Sequence, residues 1–301
     1  MNLIYSFIGI LPDYIIDSFY QSRIYFNGNI YLITDDINSL YINKLKNELN
    51  VIIINYNNLI ENNSYINRLK LNFKKFNITE NLNNRKLLFY RSFERLFLVD
   101  ILIKKLNLID NLSLEIDNLI YDNPNNWLNG FRLKSIAFME CDNHSHCSIG
   151  IIYIKNSLSL IEILNYMLNY IETNNDVFFS EMRAIYKYVF KFDNNKDFQL
   201  LPILVENTSS SFENSIFDPA SYGVYLTGKD IIHTNNKLTL YLDSEDHIIK
   251  CSNYNYEWKN INGLKKPYIY DKKNNKWILI NNLHIHSKRL DLGLSKPLFI
   301  L

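Results

Sequence analysis

NIYLITDDINSLYINKLKNELNVIIIN, residues 29–55, decides the fold. It opens on NIYLIT, a short run apolar on both sides that stops at Asp35-Asp36, and closes on VIIIN at residues 51–55. Strands that are apolar on both faces are covered on both faces, and when helices join them they lie parallel in one sheet. Working outward, residues 3–10 (LIYSFIGI) read as another strand, closed by Leu11-Pro12, and Pro12-Asp13 opens a helix over residues 13–24. Residues 87–106 place Phe89, Phe93, Leu96, Phe97, Ile101 and Leu102 at helical spacing, which suits a helix laid on the sheet. Strands are expected at 136–140 and 149–154, and helices at 158–171 and 177–190. From about residue 200 the texture changes: PILVEN, FDPASYGVYLTGKD and YEWKNINGLKKPYIYD predict hairpins and binding loops. The expected fold class is α/β, a Rossmann-type mixed sheet flanked by helices with an elaborated C-terminal region. No internal repeat or linker divides residues 1–301, so one domain is expected.

The composition narrows the function classes. The chain has 301 residues with 32 basic and 31 acidic side chains, a formal net charge of +1, which argues against a nucleic-acid partner. At 47% hydrophobic it has the material for a full core. The excess of Asn, Ile, Lys and Tyr reads as the coding bias of an AT-rich genome. Three cysteines make no disulfide framework. No basic leader precedes the first apolar run, and no stretch reaches the ~18 apolar residues of a membrane helix. A cytoplasmic protein with no membrane partner is expected.

The most informative short segment is LSLEIDNLIYDN, residues 112–123, in which Glu115 and Asp117 stand where a buried strand ends. Alternate residues of a strand share a face, so the two carboxylates can aim at one point beyond the sheet edge. Such a pair suits a hard divalent cation, Mg2+ or Mn2+, that would in turn hold a diphosphate; a solvated strand cap is the plainer alternative. WILINNLHIHSKRL, residues 277–290, reads as a strand with His284, His286 and Lys288 on one face and Leu283 and Ile285 on the other. Imidazole ligates transition metals and an ammonium meets phosphate, so the segment describes a metal–diphosphate clamp, with an exposed edge strand as the alternative. CDNHSHC, residues 141–147, holds two Cys and two His, but its spacing departs from that of zinc sites, and a loop near the cleft is the preferred reading.

These segments resemble the GT-A-fold nucleotide-sugar glycosyltransferases of the giant-virus and bacterial type. LSLEIDNLIYDN is similar to their acidic DxD strand, with Glu in the first position. SFERLFLVDIL, residues 92–102, resembles the preceding helix, and SIGIIYIKN, the FDPA loop and LHIHSK follow in the expected order over residues 1–290. The resemblance implies a UDP-sugar donor, a bridging Mn2+ or Mg2+, and transfer of a hexose, glucose in the first instance, to a sugar hydroxyl of a glycan or glycoprotein. In its narrowest form the resemblance is to a viral collagen glucosyltransferase, which implies galactosyl-hydroxylysine of a collagen-like protein as the acceptor. It divides the chain into a nucleotide-sugar half, 1–125, and an acceptor half, 126–301, that ends in a metal and phosphate strand. It makes Glu115 and Asp117 donor and metal residues, with His286 ahead of His284 as a further ligand. Arg95 and Lys288 would then lie on the donor, with Asp36 beside its nucleoside.

For the acceptor side, Glu181 matches an acidic residue that relatives carry before Met, although a carboxylate at a helix start also complements the dipole. Asp218 and Tyr225 are candidate sugar-binding residues, because sugars use carboxylates for hydroxyls and aromatic faces for C–H surfaces; ordinary loop structure explains them as well. Two other classes stay open: a sugar-binding scaffold that has lost turnover, and a nucleotidyltransferase, although Gly9-Ile10-Leu11-Pro12 is not a phosphate loop. The oligomeric state, monomer or homodimer, is not legible.

Overall fold

The computed structural model describes residues 1–75, 86–141, 145–173, 180–191, 197–228 and 248–297. Its centre is a seven-stranded sheet of β1 (Asn2–Phe7), β2 (Ile30–Thr34), β3 (Val51–Asn55), β4 (Asn111–Leu114), β6 (Ile136–Cys141), β7 (His146–Ile154) and β8 (Phe198–Leu200), in the order β3-β2-β1-β4-β7-β6-β8. Strands β1 to β4 run parallel, whereas β7 is antiparallel to both β4 and β6. β2 and β3 lie on one side of β1 and β4 on the other. The strand order therefore reverses at β1, and such a reversal in an α/β sheet makes a crevice beyond the ends of the two strands that flank it, here β1 and β4.

Alternation along the strands builds two cores. Leu3, Tyr5, Leu32, Leu112 and Leu114 face one apolar cluster, and Ile4, Ile33, Ile149 and Ile152 face the other. The first is covered by α1 (Ile15–Tyr25), α2 (Ile42–Asn47) and the C-terminal segments. The second is covered by α3 (Tyr56–Ile60), α4 (Ser64–Lys75), α5 (Lys86–Leu106), α7 (Ile161–Thr173) and α8 (Glu181–Lys191). A short α6 (Leu128–Phe131) seats Phe131 in the first core, its ring stacked on Tyr153 at 4.8 Å. The sheet continues across residue 125 into β6, β7 and β8.

Two C-terminal expectations change. FDPASYGVYLT forms no hairpin: it folds into α9 (Ser221–Thr227), because the Asp218 carboxylate accepts the amides of Tyr222 and Gly223 in the first turn. Lys229 and Asp230 lie outside the described residues. Nor is 277–290 one strand. β9 (Tyr256–Ile261), β10 (Leu264–Asp271) and β11 (Lys276–Leu279) make a separate antiparallel sheet, and β12 (Asn282–His284) pairs with β5 (Asn118–Ile120). After His284 the chain turns, with the His286 amide bonded to the His284 carbonyl and Lys288 in the left-handed region at φ 60°. The expected alternation of His284, His286 and Lys288 on one strand face is thereby lost.

Candidate metal and diphosphate site

Five side chains from three distant stretches of chain meet at the end of β4. β4 stops at Leu114, and the turn at 115–117 leads into β5, which throws the Glu115 and Asp117 carboxylates toward the crevice. β12 pairs with β5 in a register that puts His284 opposite Asn118. The imidazole Nε2 then lies 3.1 Å from Glu115 Oε2 and 3.3 Å from Asp117 Oδ2. Lys288, carried back by the turn, pairs with Asp117 Oδ2. Arg95, on the face of α5 against the sheet, pairs with Glu115 Oε1 and donates to the Ile149 carbonyl at 3.4 Å. Glu115 keeps a quarter of its side chain exposed (25%), whereas Asp117 keeps 7%.

The electrostatics follow from this packing. Burial would raise the Asp117 carboxyl, but the His284 and Lys288 charges outweigh it and hold it well below the ordinary range. Glu115 is lowered in the same way, by Arg95 and His284 against burial. Burial disfavours the His284 cation, yet Asp117 and Glu115 raise its affinity for a proton. Arg95 and Lys288 both stay charged against burial because of their carboxylate partners.

Among the described residues Glu115, Asp117 and His284 form the group whose ligand atoms all lie within 4.8 Å of one another. Two ionised carboxylates and an imidazole nitrogen fit a divalent cation such as Mn2+ or Mg2+. The imidazole must give up its Nε2 proton for the ion, so cation and proton compete for His284. Held there, a divalent cation would neutralise phosphate oxygens, with Lys288 and Arg95 adding fixed positive charge on either side.

Of the ligands read from the sequence, His286 lies outside this group, its ring packed on that of His284 with centroids 4.6 Å apart. The paired strand ends at His284, which the structure places against the two carboxylates, and His286 follows in the turn. Glu181 opens α8 with 6% exposure, and its surroundings set it apart. Burial pushes its carboxyl up to about 7 against the pull of the nearby Arg95, while the Glu115 charge adds to the rise. The Ser180 hydroxyl accepts the Arg183 amide at 3.3 Å and so already caps this helix.

Asp218 is corrected as a sugar-binding or catalytic carboxylate. It is fully buried, and its two oxygens accept four backbone amides: Ala220 (2.9 Å), Tyr222 (2.8 Å), Gly223 (2.8 Å) and His284 (2.9 Å). It fixes α9 against β12 and so places His284. Half-buried Asp36 accepts the Leu11 amide on Oδ2 at 3.0 Å, and Asp35 accepts that of Gly9 at 2.7 Å, so the pair shapes the loop after β1. Tyr225 is 42% exposed, with its ring 5.3 Å from that of Tyr256.

In the 141–147 segment, His144 lies outside the described residues. Cys141 sits opposite His146 and Glu140 opposite Cys147 across the β6–β7 ladder, so the two thiols point to opposite faces and cannot share an ion. His146 accepts from Arg183 Nε at 2.9 Å, and burial with the Arg183 charge lowers it to about 4.

Sequence reasoning missed three contributors. Tyr14, just after Pro12-Asp13, is raised to about 12 by burial and then by the Asp117 charge. Gly223 must lack a side chain, since a Cβ would stand 2.1 Å from the His284 carbonyl. Asn118 braces β12 by accepting from Asn282 at 2.9 Å.

No protein-family model matches the sequence, and no curated protein matches it. Among solved structures the chain is similar to mouse xyloside xylosyltransferase 1 at a TM-score of 0.46 and 9% identity, over 67% of this chain and 86% of that one. The galactosyltransferase LgtC, solved with donor and acceptor sugar analogues, gives 0.42 and 11% identity over 67% and 73%. The glycosyltransferase GlyE of Streptococcus pneumoniae gives 0.40 and 13% over 66% of this chain and 44% of its own length. Likenesses of this size transfer no activity and no residue role.

Proposed function

We propose that this chain is a metal-dependent glycosyltransferase of GT-A type that moves a hexose from a nucleotide sugar to an acceptor hydroxyl. One observation carries the reading: an acidic and imidazole ligand group, Glu115, Asp117 and His284, shares a crevice at the switch in strand order with two fixed cations, Arg95 and Lys288. That combination matches a nucleoside diphosphate. As the bond to the sugar breaks, the diphosphate gains negative charge, and cations held in place by protein contacts stabilise it without reorganising. A binding scaffold without turnover has no comparable need for a ligand group and two cations at one point.

Glu181 is the base we propose for an acceptor hydroxyl if the product inverts, since a carboxyl titrating at about 7 can hold or release a proton near neutrality. In a retaining reaction the departing phosphate takes that proton instead. The donor proposed is UDP-glucose, bound by residues 1–125. The acceptor proposed is a sugar hydroxyl of a glycan or glycoprotein, met by residues 126–301, with galactosyl-hydroxylysine of a collagen-like protein as its narrowest form. The location we propose is the cytoplasm, and for a viral chain the host cytoplasm or the virion.

The test is release of nucleoside diphosphate from a panel of sugar nucleotides with Mn2+, Mg2+ or EDTA. Release with at least one donor, suppressed by EDTA and abolished in Asp117→Asn, is the expected result. No metal-dependent release from any donor overturns the reading, and release of pyrophosphate from a nucleoside triphosphate and a sugar phosphate replaces it with a nucleotidyltransferase.

A further inference from the structure

Lys288 stands on a loop with two fixed ends. At the near end the Ile285 amide donates to the Asp117 carbonyl at 2.8 Å, directly after β12 leaves β5. At the far end Ser295 is 3% exposed and has every polar atom engaged. Its amide donates to Gln21 Oε1 at 3.0 Å, and its hydroxyl accepts from Gln21 Nε2 at 2.9 Å and meets the Tyr25 hydroxyl at 2.8 Å. Its carbonyl accepts the Lys265 amide at 2.9 Å. Gln21 is itself fully buried on α1, and its Nε2 also donates to the Ile120 carbonyl at 2.8 Å. Ile120 is the β5 residue opposite Asn282 of β12. One side-chain amide thus joins α1, the strand that follows Asp117 and the segment that follows Lys288, although it stands 274 positions before Ser295.

Between those ends the loop is held in place more than it is held in direction. Leu290 and Leu294 are buried in the first core, a contact that fixes position and leaves orientation slack, because apolar burial is not directional. The backbone bonds of Lys288, Leu292 and Gly293 reach only three residues back, and one longer bond runs from the Tyr121 hydroxyl to the Gly293 carbonyl at 2.8 Å. Lys288 keeps a φ of 60°, which a residue with a Cβ adopts at a cost and keeps only when its surroundings require it. The directional constraint on the return of the chain comes from the bonds at Ser295. An apolar side chain could fill the place of Gln21 about as favourably; what a fully bonded buried amide adds is a single arrangement.

We propose that Gln21 is a positioning residue for Lys288: by fixing Ser295 it keeps the turn at 286–289 in the form that sets the ammonium against Asp117, and so sets how firmly the crevice takes a diphosphate. Its bonds reach none of the five crevice side chains, so its effect on them runs through the chain. The placing of the ammonium stands on its own, whereas the consequence for diphosphate rests on the reading of the crevice given above.

The test reads Lys288 directly. The full chain, without metal or nucleotide, is treated with a limiting amount of an amine-acylating reagent, and acylation at Lys288 is followed by mass spectrometry. Lys44, whose side chain has the same 39% exposure, is the reference within the molecule. Ser295→Ala removes the hydroxyl and leaves its amide on Gln21; Gln21→Met removes both bonds. Expected is acylation of Lys288 about 3-fold faster in Ser295→Ala and about 10-fold faster in Gln21→Met, with Lys44 unchanged, at a temperature where each variant is folded. Affinity for UDP with Mn2+, measured by calorimetry, should fall by similar factors, and the fall should vanish on a Lys288→Ala background, where no ammonium is left to misplace. Lys288 acylated at the wild-type rate in variants that melt earlier would make Gln21 a packing residue and overturns the proposal. So does a loss of UDP affinity that persists undiminished on the Lys288→Ala background. A wild-type chain that binds no UDP with Mn2+ removes the diphosphate reading of the crevice instead, and the acylation rates, which need no ligand, still decide whether Gln21 places the ammonium.

Discussion

His284 rests over the bare backbone of Gly150: a Cβ on that glycine would lie 3.0 Å from Nδ1 of the ring and 3.1 Å from Asn118 Nδ2. Both nitrogens are buried without a hydrogen-bond partner. The ring that faces Glu115 and Asp117 on one side is therefore kept in place on the other by contact and by the absence of a side chain. Gly150→Ala should displace it by a few tenths of an ångström and loosen Mn2+ binding about 10-fold, the scale on which perturbed support of a metal ligand is felt. Calorimetric titration of Mn2+ into the variant checks this; unchanged affinity would mean that Gly150 has no part in placing the ring.

Asp117→Asn should cost stability as well as activity, because the substitution leaves Lys288 and His284 without their shared carboxylate. We expect about 2 kcal/mol lost in metal-free protein at neutral pH. The sign with pH follows from the lowered Asp117 carboxyl: its stabilisation is present above its unfolded value near 3.8 and is lost as pH falls below that. Urea titrations of both proteins at neutral pH and near pH 3 should show the gap closing in acid.

Glu181 works in the opposite direction. Its carboxyl is raised, so between about 4.5 and 7 the folded chain holds a proton that the unfolded chain has released. Stability should fall as pH rises through that window and level off above it. Glu181→Gln removes the dependence, gaining up to about 3 kcal/mol on the wild type by pH 8. Parallel melting curves that stay equally spaced from pH 4 to 8 would show that the Glu181 carboxyl is not raised on folding.

Asp218→Ala strips four buried amides of their acceptor and should cost about 3 kcal/mol or more. Because one of those amides belongs to His284, Mn2+ affinity should fall with stability. A variant that melts normally and fails only in sugar transfer would return Asp218 to the acceptor site.

The parallel half of the sheet was legible because NIYLIT and VIIIN are apolar on both faces, a pattern that few alternatives to a covered strand explain. The carboxylates were legible for a related reason, since an acidic pair that ends an apolar run has to emerge at the sheet edge. Which histidine faces those carboxylates was not. Choosing between His284 and His286 depends on where a strand stops, and that point is fixed by the pairing of His284 with Asn118, more than 160 residues upstream. FDPASYG read as a loop for a similar reason: its Asp looks available until the amides of α9 and β12 are known to converge on it. The 141–147 segment misled through composition, since its residues are those of a zinc site while the ladder sends the thiols to opposite sides.

The ammonium of Lys288 meets a carboxylate 171 positions earlier in the chain, across the seam where β12 zips onto β5. Beyond that seam Ile285, Leu290 and Leu294 lie in the first core, and Ser295 bonds to Gln21 of α1. Unzipping β12 from β5 should therefore take His284 and Lys288 from the carboxylates and strip one face of the sheet in the same event.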